Sequence, residues 1–152
     1  MTTDPKQAAL DFLASKKTGV LATLSADGAP RARLVYYAND DRFNIYFLTL
    51  GNTRKADDLR YSKKVAFTVA DETEPRTVQI EGVAEDITNM PADDAVIETL
   101  FHNLQMNAKY YAPLARFDRG DVRFFRITPS FVRFGDFTEG HHTDEVLFEI
   151  TP

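Results

Sequence analysis

Apolar residues recur at helical spacing near the amino terminus and at strand-like spacing after it. An Asp4-Pro5 pair, typical of a helix N-cap followed by proline in the first turn, precedes the helical pattern. The residues that set this pattern are Ala8, Ala9, Phe12 and Leu13. They predict a helix over about residues 5–16, which Gly19 ends. Three short β-prone segments follow, at residues 20–24, 32–37 and 43–48.

Two turn signals separate these three segments. Asp27-Gly28 is a strong hairpin signal between the first and second, and Asn39-Asp40-Asp41 marks a turn before the third. Three consecutive strands with short turns predict an antiparallel meander. In such a meander the second and third strands are hairpin neighbours.

The second half of the chain continues the strand pattern with two helical interruptions. A short helix is predicted after Gly51, with Asn52 or Thr53 placed to cap it. A second helix is predicted over residues 91–104 from its apolar spacing. Further strands are predicted at residues 65–69, 78–84, 122–127, 131–134 and 146–150. Gly82 is a candidate for a β-bulge.

This order of elements favours a mainly β fold. Strands outnumber helices about two to one, and no helix interrupts the first strands at the spacing of a parallel βαβ unit. A closed or nearly closed antiparallel barrel buries many short strands without leaving exposed edges. The pattern therefore predicts one domain over residues 1–152, a barrel with an α+β periphery of flanking helices.

Composition narrows the classes of function. The 152 residues include no Cys and no Trp, which excludes disulfides, a cysteine nucleophile and thiolate metal sites. A net charge of -5 argues against nucleic-acid binding, because phosphate neutralisation needs an excess of basic side chains. Residues 16–64 nevertheless hold ten basic and five acidic side chains. This basic third of an acidic chain indicates a small anionic ligand.

The sequence also bears on the cellular location of the protein. The amino-terminal residues include Lys6 and Asp11 and lack the unbroken apolar stretch of a signal peptide. No run approaches the 18 apolar residues of a membrane-spanning helix. We therefore expect a cytoplasmic protein that does not bind membranes.

The most informative candidate site joins two predicted strands to the start of the short helix. Arg31 and Arg33, two residues apart on a strand, face the same side. Arg33 is expected near Thr49, because the two strands are predicted neighbours. Thr53-Arg54-Lys55 opens the helix, where backbone N–H groups favour an anion. Together these residues predict a phosphate site, with solvated surface charges as an equally weighted alternative.

Other candidates have simpler interpretations. Tyr36, Tyr37 and Tyr46 could stack on a flat ring, but sheet packing is the more common role of strand aromatics. His102 and His141-His142 lack a third ligand at a suitable spacing, so no metal site is predicted. The carboxylate pairs Asp57-Asp58 and Asp93-Asp94 fall in first turns of helices, where capping explains them better than acid–base catalysis.

Several segments, taken in order, resemble the pyridoxamine 5'-phosphate oxidase-like, FMN-binding split-barrel family. The segments are Asp27-Gly28-Ala29-Pro30, Arg33-Leu34-Val35, Tyr46-Phe47-Leu48-Thr49, Thr53-Arg54-Lys55-Ala56 with Leu59, Val65-Ala66-Phe67 and Val78-Gln79-Ile80-Glu81-Gly82. Residues 121–134, with Phe125-Arg126-Ile127-Thr128-Pro129, resemble the closing strands. The resemblance implies a six-stranded antiparallel Greek-key split barrel that forms a homodimer, with FMN at the subunit interface.

The resemblance also implies roles for particular residues. Arg33, Arg54 and Lys55 would hold the FMN phosphate, aided by the hydroxyl of Thr53. The backbone of Leu34 and Val35, together with Leu48 and Thr49, would lie along the flavin ring and ribityl chain. Thr77 falls where relatives often place a glutamine that reaches the flavin from the other subunit.

Two departures from the family pattern bear on activity. Authentic pyridoxamine phosphate oxidases share a lysine at the position that Ala38 occupies here. They also share a carboxyl-terminal Trp and an Arg-x-His segment, which this sequence does not have. Oxidation of pyridoxamine phosphate itself is therefore not expected. The favoured function is an FMN-dependent oxidoreductase of unidentified small-molecule substrate, with no catalytic residue named. The alternatives are a non-catalytic flavin or haem protein for storage, sensing or stress response, a deazaflavin-dependent reductase, and a ligand-free interaction domain.

Overall fold

The computed structural model describes residues 4–89, 94–105, 122–138 and 146–152. The helices in these ranges are α1 (Pro5–Ser15), α2 (Arg54–Tyr61) and α3 (Asp94–Gln105). The strands are β1 (Thr18–Leu24), β2 (Pro30–Tyr36), β3 (Ala38–Asn39), β4 (Ile45–Leu50), β5 (Lys64–Asp71), β6 (Arg76–Asp86), β7 (Val122–Asp136) and β8 (Leu147–Ile150).

The strands form one antiparallel sheet that curls into a half-barrel. Its order is β2-β1-β5-β6-β7-β4-β3, and β8 pairs with β7 beside this path. Six strands have six residues or more, and β3 and β8 are shorter. The predicted mainly β split barrel with flanking helices is confirmed. The described residues form two short strands in addition to the six long ones.

The predicted meander of the first three strands is wrong in its second half. Asp27-Gly28 does make the β1–β2 hairpin, with Leu24 opposite Pro30 and Gly28 at φ 81°. However, β4 pairs with β3 and β7 and not with β2. Strand β2 ends the hydrogen-bonded order on one side and β4 is next to last on the other, and the two strands approach each other across the split. Short turn signals favour pairing of neighbours, whereas curling of the whole sheet decides which distant strands meet.

Strand β7 is longer than the sequence pattern predicts. The predicted strands at 122–127 and 131–134 are one 15-residue strand that passes through Pro129. A bulge makes this possible, because Glu81 pairs with Phe131 whereas Gly82 pairs with Pro129, which leaves Ser130 as the extra residue. The bulge predicted at Gly82 is confirmed.

The main core fills the concave side of the sheet. Leu21, Phe67, Ile80 and Val132 form one buried row across four neighbouring strands. Helix α1 closes the core with Phe12 and Leu13, which are almost fully buried. Helix α3 packs on the other side of the sheet, where Val96 and Leu100 lie in a smaller cluster with Leu48. The split beside β2 is thus bordered by rigid, packed elements.

Candidate anion-binding site

Helix α2 brings the predicted basic residues together. Arg31 and Arg33 lie on the inner side of β2, opposite Thr23 and Leu21 of β1. The charges of Arg31 and Arg54 lower the pKa of Arg33, and the charge of Arg33 lowers the pKa of Lys55, which shows that these side chains lie near one another. We call Arg31, Arg33, Arg54 and Lys55 the cation cluster. The sequence predicted the proximity correctly, but packing of α2 on the sheet produces it and not a hairpin between β2 and β4.

A buried carboxylate lies beneath the cation cluster. Asp58 is 3% exposed, and its Oδ1 lies 3.1 Å from Nη1 of Arg31. Its Oδ2 lies 3.4 Å from Nη2 of Arg33 and accepts a hydrogen bond from Thr23 Oγ1 at 2.8 Å. Thr23 in turn accepts a hydrogen bond from Arg33 Nη1 at 2.6 Å. These contacts hold both arginines against the inner side of the sheet.

The interpretation of Asp57-Asp58 as first-turn capping is wrong for Asp58. Asp57 is exposed and pairs with Arg60 at 2.8 Å, as an ordinary surface residue of a helix does. Asp58 comes one turn after Lys55 and directly before buried Leu59. This position on the sheet-facing side of α2 was the signal that could have identified it. Sequence reasoning also missed Thr23, whose hydroxyl is buried with Asp58.

Lys55 and Arg54 are the members of the cluster for which the described residues supply no acceptor. Among the described residues, neither side chain has a hydrogen bond or ion pair to a protein group. Partial burial of Lys55 lowers its pKa below that of an ordinary lysine, and the charge of Arg33 lowers it further. Burial also lowers the pKa of Arg33, although Asp58 opposes this shift. An anion would relieve the repulsion among these cations.

The two predicted hydroxyl residues, Thr49 and Thr53, lie together at the start of α2. Their Oγ1 atoms are 2.8 Å apart. Thr53 Oγ1 accepts a hydrogen bond from the Ala56 backbone N–H at 3.3 Å, so the predicted N-cap is confirmed. Thr53 also donates to the Leu50 carbonyl at 2.9 Å. The same hydroxyl that a ligand would use therefore also fixes the start of the helix.

The other predicted contact residues are spread around the split. Leu34 is 54% exposed on the outer side of β2, whereas Val35 and Leu48 are buried. Strand β2 ends the sheet order, so its edge toward the split carries no hydrogen-bonded neighbour strand in the described part of the chain. Thr77 pairs with Ala70 and lies three strands from Arg33, more than about 10 Å away by strand spacing. One chain does not bring Thr77 to the cation cluster.

Two of the three predicted stacking residues, Tyr37 and Tyr46, take packing positions. Tyr37 is buried against Phe67 in an edge-on contact with ring centroids 5.2 Å apart, and burial raises its pKa. Tyr46 donates to Asp40 Oδ2 at 3.0 Å, and its pKa is raised by burial and by that carboxylate. Neither ring is presented to a ligand at the open edge of β2.

Neither a metal cluster nor a membrane-spanning helix is found among the described residues. Within the described ranges, no three His, Asp or Glu side chains are grouped so as to hold a metal ion. His102 is exposed on α3, and His141-His142 and Asp93 lie outside the described residues. Of the helices in the described part of the chain, none has the length and apolar character needed to span a bilayer.

A half-barrel that carries clustered cations beside an open strand edge defines a split-barrel protein with a candidate anion site. The chain belongs to the pyridoxamine 5'-phosphate oxidase family, whose sequence pattern matches residues 5–135. No curated protein matches the sequence.

Solved structures share this fold. A conserved hypothetical protein from Mycobacterium tuberculosis is 27% identical, with a TM-score of 0.66 over 90% of this chain and 86% of that chain. A haem-binding protein from Mycobacterium smegmatis is 18% identical, with a TM-score of 0.73 over 99% of this chain and 59% of that chain. This chain thus spans about three fifths of that protein. An FAD-binding protein from Mesorhizobium loti is 20% identical, with a TM-score of 0.66 over 84% and 91% of the two chains.

Proposed function

We propose that this protein binds FMN and acts as a flavin-dependent oxidoreductase on a small-molecule substrate. The observation that carries the proposal is the cation cluster, in which Lys55 and Arg54 have no acceptor among the described residues and lie near Arg33 of the edge strand β2. A phosphate monoester supplies the dianion that such a cluster lacks. Family membership and the similarity to an FAD-binding protein support a flavin as the group attached to that phosphate.

The residues present fit an FMN molecule in two parts. Lys55 and Arg54 would bind the phosphate directly, and Arg33, already held by Asp58 and Thr23, would add its positive charge. Within the described residues β2 has no strand on its outer edge, so the outward-pointing backbone groups along Leu34 and Val35, which alternate from one residue to the next, would hydrogen-bond the polar rim of a flat ring. Thr49, whose hydroxyl lies beside that of Thr53, and the preceding Leu48 would lie along the ribityl chain. Bound flavin supplies the redox chemistry, and the chain binds and orients it.

A homodimer is the assembly we propose for the working protein. Val20 and Leu34 are cross-strand partners on the outer side of the sheet, 43% and 54% exposed. A second subunit would cover this apolar pair and bring its own Thr77 toward the first subunit's flavin. Sedimentation equilibrium should give twice the chain mass of 17.2 kDa. A single-chain mass at micromolar concentration would argue against the dimer.

The direct test of flavin binding is the absorbance spectrum of purified protein incubated with FMN and then desalted. We expect flavin absorbance to remain with the protein at about one FMN per chain. Addition of NADH or NADPH without oxygen should then bleach it. Loss of all flavin on desalting at micromolar protein would refute FMN binding. Retained flavin that light reduces but neither nucleotide does would instead indicate a non-catalytic flavin protein.

The affinity for FMN should depend on pH through the phosphate and Lys55. Affinity should rise as pH passes about 6, where a phosphate monoester gains its second charge. It should fall again before pH reaches 10.5, the ordinary lysine value, because the pKa of Lys55 in the free protein lies lower and its charge is lost earlier. Fluorescence titrations across pH test this. A Lys55→Met protein should lack the alkaline fall, and an equal fall in both proteins would contradict the assignment.

A further inference from the structure

Asp58 is a negative charge inside a site that attracts anions. Arg31 and Arg33 pair with it, and within the described part of the chain no other carboxylate lies at ion-pair distance from the cation cluster. Its oxygens face Arg31, Arg33 and Thr23, and the residue is almost fully buried. The cation cluster and Asp58 together carry a charge of +3. A ligand phosphate is therefore attracted by less charge than the four cations alone would supply.

The position of Arg33 does not depend on this carboxylate alone. Arg33 Nη1 donates to three neutral oxygens: Thr23 Oγ1 at 2.6 Å, the Arg31 carbonyl at 3.4 Å and the Leu21 carbonyl at 3.5 Å. An asparagine at position 58 would have the same shape and would keep one oxygen to accept from Thr23 and Arg33, while its Nδ2 would replace the oxygen that accepts from Arg31. The charge of Asp58 can thus be separated experimentally from its role in packing.

We propose that Asp58 limits the anion affinity of the cation cluster, so that free inorganic phosphate alone does not occupy it. A site with one charge fewer binds a bare anion weakly, and a ligand must add contacts of its own to be retained. A phosphate monoester that carries a flat ring adds them along the edge of β2. This inference rests on the proposed function, because it assumes that the cluster holds the phosphate of such a ligand.

The test compares Asp58→Asn with Asp57→Asn, which removes the same charge from the exposed neighbour. Three probes are titrated: inorganic phosphate, FMN and riboflavin, which lacks the phosphate. We expect Asp58→Asn to tighten inorganic phosphate and FMN by about tenfold and to leave riboflavin unchanged. Asp57→Asn should change none of the three. Unchanged or weakened phosphate binding in Asp58→Asn would overturn the proposal.

If Asp58→Asn is unstable, thermal unfolding with and without inorganic phosphate still tests the proposal. Asp58→Asn should unfold at a lower temperature than wild type without ligand, because the cations then repel one another unopposed. Inorganic phosphate should raise that temperature more in the variant than in wild type. A variant that stays unfolded even with phosphate would show that Asp58 is needed for structure and would refute the charge-limiting role.

Failure of this inference is distinct from failure of the proposed function. If wild-type protein binds FMN and Asp58→Asn does not change phosphate affinity, only the role of Asp58 is wrong. If wild-type protein binds no FMN, flavin binding is wrong, and the inorganic phosphate titration still tests whether Asp58 limits anion binding.

Discussion

Replacing Lys55 by methionine should weaken FMN binding about 100-fold while leaving riboflavin binding unchanged. Lys55 is partly buried and lacks a protein acceptor among the described residues, so a bound phosphate would be its principal partner. Loss of a charge-assisted contact to a dianion in such a position costs about 2 to 3 kcal/mol. Methionine retains the length and apolar stem of lysine, so the packing of α2 should be preserved.

The matched control for this change is Lys63→Met. Lys63 is an exposed lysine in the loop between α2 and β5, outside the cation cluster. It should leave the dissociation constants of both FMN and riboflavin within about twofold, because solvated surface charges contribute little. Flavin fluorescence titration measures all four constants. Equal weakening of FMN by both changes, or equal weakening of FMN and riboflavin by Lys55→Met, would show that Lys55 does not bind the phosphate.

Gly82→Ala should lower the free energy of unfolding by about 3 kcal/mol or more. A Cβ on Gly82 would lie 2.9 Å from the Thr128 carbonyl carbon and 3.0 Å from Pro129 Cα, and closer still to the Thr128 oxygen. All three atoms are backbone, so no side-chain rotation relieves the clash. The β6–β7 ladder would have to open at the bulge, which lies in the longest pairing of the sheet.

Gly28→Ala serves as the comparison for this loss of stability. Gly28 has φ 81°, but a Cβ there would meet no atom within 4 Å. Only backbone strain opposes alanine, which costs about 1 to 2 kcal/mol. Urea unfolding of both variants, read by circular dichroism, compares the two. A Gly82→Ala protein as stable as Gly28→Ala would mean that the bulge can relax, contrary to the close packing described above.

Features set by neighbouring residues could be predicted from the sequence. The β1–β2 hairpin depends on Asp27-Gly28, and the start of α2 depends on the Thr53 side chain and an N–H three residues later. The bulge at Gly82 was also predictable, because a glycine within a strand favours one. Each of these signals acts over a few residues, and each is present in the structure.

Features set by distant residues were not predictable in the same way. The pairing of β4 with β7 joins segments about 80 residues apart, and no turn signal specifies it. Asp58 meets Thr23 and Arg33 only because α2 packs on the sheet, 35 and 25 residues away along the chain. The basic members of the site could be identified by charge and spacing. Their counter-ion Asp58 could not be identified in this way, because capping of the helix already explained a carboxylate at that position.

The proposed function depends above all on FMN bound at the cation cluster of this split barrel. Mass spectrometry of the ligand extracted from protein purified from its native host tests it most directly, since no cofactor is supplied by the experimenter. We expect FMN, released at about one molecule per chain. Haem, a deazaflavin or no ligand at all in the extract would contradict it.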